Sequence, residues 1–325
     1  MDILLQGLRA AAEDTRLRIL GLCAHAELTV SELVDILGQS QPRVSRHLKL
    51  LVEAGLLERQ QEGSWAYYRL AQGRGQGDLA RLIVDLMPTQ GSVHALDLDR
   101  LEAVKQVWAT KAEAYFKRNA ADWARIRALH VDQQAVDTAL LDLIEEAPVR
   151  DLLDVGTGAG HVLSLLADTI DNGVGVDRSR DMLNVARARI FREGLRHCHV
   201  RHAEMTKLPY ANASFDVVTL HMVLHYAERP EAAIGECARV LRPGGRLLVV
   251  DFEEHERSEL RELHAHRWLG FSESRIMGDF RAAGLLVDPA VRLSGGEITV
   301  CIWRGQRPAN DLEEPRSQTQ AGGEQ

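Results

Sequence analysis

Leu152-Leu153-Asp154-Val155-Gly156-Thr157-Gly158-Ala159-Gly160 is the stretch on which the fold turns. A short strand, Leu152–Val155, runs straight into a glycine-rich turn, and His161–Asp168 then has the pattern of a helix. Glycines at alternate positions let the chain turn tightly and let a ligand come close to the backbone. At the end of the next strand candidate, Gly173–Val176, stands Asp177, at the spacing where an acid meets ribose hydroxyls. A diphosphate would not favour a further carboxylate beside this loop. Asp154 suits a cationic ligand instead, such as one carrying an amino group.

Outward from this loop, Phe215–Leu220 and Arg246–Phe252 are further strand candidates, separated by amphipathic helical runs. Alternating strands and helices over 149–304 predict an α/β domain with a mostly parallel sheet covered on both faces. The tail, 305–325, is polar with almost no apolar residues and is expected to be disordered.

Further motifs follow in order. They are Ala203-Glu204 with Leu208-Pro209-Tyr210, Ser214-Phe215-Asp216-Val217-Val218, Leu224-His225-Tyr226, and Val240-Leu241-Arg242-Pro243-Gly244-Gly245-Arg246. With the glycine loop and Asp177 they resemble the class I S-adenosylmethionine-dependent methyltransferases, in particular the small-molecule group that includes the ubiquinone-biosynthesis type. The resemblance implies a Rossmann-like, seven-stranded fold with S-adenosylmethionine as cofactor and S-adenosylhomocysteine as product. It implies a cofactor site built from Asp154, Gly156, Thr157, Gly158, Gly160, Asp177, Met182, Ala203, Glu204 and His221. The glycines would face the methionine end and Asp177 the ribose. Met182 either packs on adenine or is an ordinary core methionine. His202 departs from the pattern, since many relatives carry Asp there, and this puts one adenine contact in question.

Methyl transfer from a sulfonium is an in-line displacement that needs positioning more than a base. If a base takes part, His221 and His225 are the candidates, each with packing as its plain alternative. Trp108, Tyr115, Phe116 and Trp123 lie in a helical stretch, 104–129, that serves either as a lid over the acceptor or as packing between domains or subunits. Cys198, Cys237 and Cys301 do not form the pattern of arsenite-methylating relatives.

The N-terminal region reads differently. Thr29–Leu37 is a short helix capped by Thr29 or Ser31, and Gly38 ends it. Gln39–Pro42 is a turn. Arg43 to Ala54 is a second helix with Val44, Leu48 and Leu51 on its buried face. Leu56–Arg59 and Trp65–Leu70 then form a hairpin. A helix, a turn, a helix with basic residues and a wing is the arrangement that enters the major groove of double-stranded DNA. The DNA-contacting candidates are Ser40 and Gln41 in the turn, Arg43, Ser45, Arg46 and Lys49 on the second helix, and Arg59 and Arg69 on the wing. The plain alternative is a solvated basic face. Thr15-Arg16-Leu17-Arg18-Ile19-Leu20, Val44-Ser45-Arg46-His47-Leu48-Lys49-Leu50-Leu51 and Glu53-Ala54-Gly55-Leu56-Leu57 resemble the ArsR-type winged helix. That resemblance implies a homodimer on operator DNA. Thr29 and Ser31 stand where metal-sensing members carry a Cys-x-Cys pair, so no metal is expected there.

Composition agrees with a two-part protein. The chain has 325 residues, 45% of them hydrophobic, and a formal net charge of −8. An acidic chain binds DNA only through a local basic patch. No apolar run is long enough to span a membrane, and the start lacks a secretion signal, so the cytoplasm is the expected compartment. Gly73, Gly75 and Gly77 mark a boundary. The expected layout is a winged helix at 1–73, a helical linker, dimerisation or lid segment at 74–148, and the methyltransferase-like domain at 149–304. Three functions fit. The C-terminal domain senses S-adenosylmethionine or S-adenosylhomocysteine for a transcription regulator; it methylates a small molecule whose presence the regulator answers; or the chain is an enzyme whose winged helix serves mainly to dimerise.

Overall fold

The structure, a computed structural model, describes residues 2–62, 65–71, 75–88, 93–108, 110, 133–257, 260 and 266–309. The chain forms two compact units that do not follow chain order. One comprises Met1–Trp123, Thr157–Ala167 and Gly173–His202, the other Ala124–Gly156, Asp168–Asn172 and Ala203–Gln325.

The first unit begins with α1 (Asp2–Ala11), α2 (Asp14–His25), β1 (Leu28–Thr29), α3 (Val30–Leu37) and α4 (Gln41–Glu53). Hairpin strands β2 (Leu57–Glu62) and β3 (Trp65–Leu70) follow, then α5 (Gln76–Asp85) and a helix over 93–108, α6. Thr29 opens α3 with a capping box: its hydroxyl accepts the Glu32 N–H at 3.3 Å, and the Glu32 carboxylate accepts the Thr29 N–H at 2.8 Å. Two otherwise unpaired donors are thereby satisfied. Pro42 sits in the first turn of α4, where its missing N–H costs nothing. The wing is antiparallel, in the register Leu57↔Leu70 to Glu62↔Trp65, and β1 pairs with β3. Ile19, Leu20, Leu33, Ile36, Val44, Leu48 and Leu51 are fully or almost fully buried beneath these elements, each contributing roughly 1.5–3 kcal/mol.

α6 packs on that core through Leu101 and Trp108. The Trp108 indole N–H donates to Glu32 at 2.9 Å, and Arg18 grips the fully buried Asp97 with two bonds of 2.6 and 2.8 Å. Trp108 is therefore a packing residue. Tyr115, Phe116 and Trp123 lie outside the described residues. Within the helical segment expected at 74–148, α5 ends at Asp85 before Pro88, and α6 starts anew at residue 93. Proline disfavours helical geometry in the residue before it.

The same unit contains α8 (His161–Leu165), the end of β5 (Ile170–Asp177), α9 (Arg180–Arg192) and β6 (Cys198–His202). β5 and β6 are parallel, with Val176 beside Arg201 and Asp177 beside His202.

The second unit is built on α7 (Gln133–Glu145), β4 (Val149–Val155), β7 (Phe215–His221), α10 (Pro230–Val240), β8 (Leu241–Phe252), α11 (Glu273–Ala282), β9 (Leu286–Val287), β10 (Val291–Leu293) and β11 (Val300–Gln306). β4, β7 and β8 are parallel neighbours, and β11 runs antiparallel against β8. The Arg246 guanidinium donates to the carbonyl oxygens of Leu143, Ile144 and Ala147 at 2.7–3.2 Å, closing the open end of α7. The alternation of strands and helices makes the C-terminal part Rossmann-like with a mixed sheet. Two expectations need correction. Among the described residues this part has eight strands, β4 to β11, rather than seven, because two short strands flank β11. The tail does not begin at residue 305, because Gly305 and Gln306 pair with Leu247 and Arg246.

Candidate nucleoside site and nucleic-acid interface

In the first unit the glycine loop is tied to β5. The Thr157 N–H donates to the Val176 carbonyl at 2.9 Å, and the Gly158 N–H donates to Asp177 Oδ2 at 2.9 Å. Asp177 Oδ1 accepts the Ser179 N–H at 2.7 Å. The Asp177 carboxylate thus holds the loop through backbone donors, and its paired oxygens are the acceptor type that two ribose hydroxyls require. Burial raises the Asp177 carboxyl above its ordinary value, against the lowering pull of the Ser179 and Gly158 N–H groups. Gly160 closes the loop in the left-handed region at φ 75°, and a Cβ there would lie 3.3 Å from that of Ala186 in α9. Ser179 caps α9 by accepting the Met182 N–H at 3.3 Å. Met182 is buried, so its side chain already serves the core. His202 lies beside Asp177 in the register of β5 and β6.

In the second unit Asp154 is 1% exposed, and the Thr219 hydroxyl donates to its Oδ1 at 2.7 Å. Gly156 has φ 77°, and a Cβ there would come within 2.3 Å of the Val223 side chain, so only glycine fits. Ala203 is buried and Glu204 is exposed, its backbone bridged to Lys207. His221 ends β7 half-buried, and Met222 follows with φ 52°. A left-handed methionine is strained, and such strain gathers at functional sites. His225 is not open to an acceptor. It is 2% exposed, its Nδ1 lies 2.7 Å from Asp251 Oδ1, and its ring lies against Phe252 and His266. Of the two alternatives for His225, base or packing residue, burial in a His–Asp pair favours packing.

In the first unit the Asp177 carboxylate has the acceptor chemistry that a ribose diol requires. In the second, Asp154, near the end of β4, is a buried carboxylate of the type that meets an ammonium group. Among the described residues no group of His, Cys, Asp and Glu is placed to hold a metal ion. The four cysteines are free and buried, and burial pushes the Cys198 and Cys301 thiols up to about 12.

α4 presents Ser40, Gln41, Arg43, Ser45, Arg46 and Lys49 to solvent, while Val44, Leu48 and Leu51 face the core. Lys49 makes a loose pair with Glu53 at 3.7 Å. Arg59 on the wing is exposed and bonded to Gln61. Arg69 departs from expectation. Its guanidinium is bound to Glu58 at 2.5 Å and lies 4.0 Å from Glu27, so it is not free for a phosphate.

Sequence reasoning passed over Glu27, Arg187 and Arg201, which converge in the first unit. The available signal was His199 and Arg201, two residues on one face of a buried strand.

A family described as Methyltransferase domain matches residues 153–249, and one described as Bacterial regulatory protein, arsR family, matches residues 13–59. The chain is 34% identical to a demethylmenaquinone methyltransferase of Thermus thermophilus over 155 residues, 46% of this chain and 68% of that protein. It is 31% identical to a malonyl-[acyl-carrier protein] O-methyltransferase of Hahella chejuensis over 165 residues, 49% of this chain and 55% of that protein. The uncharacterized methyltransferase YcgJ of Bacillus subtilis is 31% identical over 115 residues, 35% of this chain and 46% of that protein. The crystal structure of YcgJ superimposes with a TM-score of 0.46 at 21% identity, covering 53% of this chain and 98% of that one. The chain thus spans 46%, 68% and 55% of YcgJ and the Thermus and Hahella enzymes.

Proposed function

We propose, from the premise that this chain belongs to the S-adenosylmethionine-dependent methyltransferase family and carries an arsR-type helix-turn-helix, that it is a DNA-binding transcription regulator. Its second domain binds S-adenosylmethionine or S-adenosylhomocysteine, transfers methyl to a small acceptor, and reports the occupancy of that site to the DNA-binding domain. The observation that carries this reading is that the solvent-facing helix α4 and the Asp177-tethered glycine loop lie in one compact unit.

The cofactor supplies an electrophilic methyl group on a sulfonium. Asp177 takes the ribose hydroxyls, and its bonds to Gly158 and Ser179 fix the loop before the ligand arrives. Asp154, oriented by Thr219, balances the positive charge of an amino group. His221, at the strained end of β7, is the residue we assign to the acceptor side. His225 and Asp251 position the segment after β7, since the Asp251 carboxylate also accepts the His225 N–H at 3.1 Å.

On the DNA, Gln41, Arg43, Ser45 and Arg46 face the major groove, and Ser40, Lys49 and Arg59 hold phosphates. Ile3, Leu4, Leu8, Leu82 and Leu86 leave an apolar surface on α1 and at α5 exposed. This supports a homodimer formed through α1 and α5, an arrangement that would leave α4 free for DNA. The domain limits that accompany the reading are 1–73, 74–148 and 149 through the end of β11. Among the described residues no helix is long and apolar enough to cross a membrane. The four unpaired cysteines support a reducing, cytoplasmic setting.

Fluorescence anisotropy of labelled duplex from upstream of the gene, with and without either nucleoside, tests the reading. It expects saturable DNA binding whose affinity changes on adding nucleoside. DNA affinity that ignores saturating nucleoside would reduce the protein to two independent functions.

A further inference from the structure

Glu27, in the turn between α2 and β1, is gripped by arginines from two distant parts of the chain. Arg201 Nη1 reaches both of its oxygens, at 2.6 and 2.7 Å. Arg69 of the wing and Arg187 of α9 each approach it at 4.0 Å. The Arg187 guanidinium also lies over the ring of Tyr67 in the wing, 3.9 Å from its centre. Arg187 and Arg201 are 8% and 5% exposed, so the cluster is sheltered from solvent screening. Burial would raise the Glu27 carboxyl, but Arg201, Arg69 and Arg187 hold it below the ordinary carboxylate value. His199, on the same face of β6, is pushed well below its usual value by burial and by Arg69 and Arg201, so it adds no charge.

Both gripping elements belong to the nucleoside side of the unit. Arg201 is the register neighbour of Val176, whose carbonyl accepts the Thr157 N–H of the glycine loop. The residue after Arg201 lies beside Asp177. Arg187 rides on α9, whose first turn is set by Ser179, and the Ser179 N–H is held by Asp177. Two short routes therefore run from the loop and Asp177 to one carboxylate beneath the wing. Arg69 pairs with Glu58 across the hairpin at 2.5 Å and approaches Glu27 at 4.0 Å, and the two carboxylates together turn it away from a phosphate.

We propose that Glu27 is a latch through which occupancy of the nucleoside site withdraws the wing from DNA. A nucleoside orders the glycine loop and α9, which fixes Arg187 and Arg201 around Glu27 and Tyr67 and keeps Arg69 paired. Without it the cluster loosens, and Arg69 reaches a phosphate. Linkage is reciprocal: DNA lowers nucleoside affinity by the factor by which nucleoside lowers DNA affinity. This inference rests on the nucleoside-binding reading given above and adds its route and its sign.

The test uses the full chain, S-adenosylhomocysteine as probe and a mixed-sequence duplex at low salt, where phosphate contacts alone give binding. Calorimetry gives the nucleoside affinity, and anisotropy gives the DNA affinity with and without it. In the unaltered protein, saturating S-adenosylhomocysteine is expected to weaken DNA binding about fivefold or more. In Glu27→Gln the nucleoside still binds within about twofold, but its effect on DNA binding shrinks to near one. Tyr67→Leu keeps Glu27 and its arginines, and is expected to reduce the effect in the same direction if Glu27→Gln proves unstable. An effect of equal size in the unaltered protein and both variants overturns the latch, as does bound nucleoside with no effect on DNA in the unaltered protein. Absence of nucleoside binding to the unaltered protein overturns the underlying reading, and the latch with it.

Discussion

The Asp177 carboxylate holds the Gly158 N–H at 2.9 Å, so the residue placed to meet the ribose is also the one that shapes the glycine loop. Removing its charge therefore acts twice. Asp177→Asn is expected to lower S-adenosylhomocysteine affinity by about 10- to 100-fold, the equivalent of roughly 1.5–3 kcal/mol for bonds to a charged acceptor. Calorimetry checks this, and a change under about twofold would remove Asp177 from the site.

Asp97 is fully buried and bound twice by Arg18, joining α6 to α2. Asp97→Ala leaves the Arg18 guanidinium without its partner in a sheltered position. The expected loss is about 3–5 kcal/mol of stability in the winged-helix part, read from urea unfolding monitored by far-ultraviolet circular dichroism. A loss below about 1 kcal/mol would mean that Arg18 finds water instead.

Much of this architecture was legible in the residues themselves. The glycine loop, the cap at Thr29 and the proline opening α4 are local features, in which neighbouring residues decide the geometry. Other features depend on distant chain. Arg201 and Glu27 are 174 positions apart, and Trp108 meets Glu32 across 76. Nothing in the local pattern distinguishes Arg69 bound in a cluster from Arg59 exposed on the same wing. Gly305 and Gln306 have little apolar character, yet backbone pairing with β8 keeps them in the sheet. The strained Met222 is an ordinary methionine in sequence, and only its backbone marks the position.

The two kinds of arginine on the DNA-binding part make opposite predictions. Arg59 is exposed on β2, whereas Arg69 is bound to Glu58. Arg59→Ala removes a cation assigned to a phosphate, and is expected to weaken DNA binding and to reduce the salt-dependence slope by about one. Arg69→Ala, measured with S-adenosylhomocysteine saturating, should leave that slope nearly unchanged. Anisotropy across a salt series separates the two, and equal slope changes would contradict the assignment.

Acid should loosen the C-terminal domain through Asp216. Burial works to raise this carboxyl, but Arg242 at 2.6 Å and the N–H groups of Asp151 and Arg150 hold it below the ordinary aspartate value. Asp151, which shares Arg242 at 2.8 Å, is the other carboxylate facing it. A lowered carboxyl contributes stability that is complete above the unfolded value, about pH 4, and is lost as pH falls through the folded value. Asp216→Asn should therefore lower stability at neutral pH and flatten its decline below about pH 4. Thermal unfolding across a pH series shows this, and parallel curves for the two proteins would argue against it.

A DNA-binding domain that shares its chain with a working nucleoside site must come with saturable nucleoside binding. Calorimetric titration of the full chain with S-adenosylhomocysteine is the sharpest check. One saturable site per chain is expected, weakened by Asp177→Asn. No heat and no binding at any concentration up to the solubility of the nucleoside would contradict it.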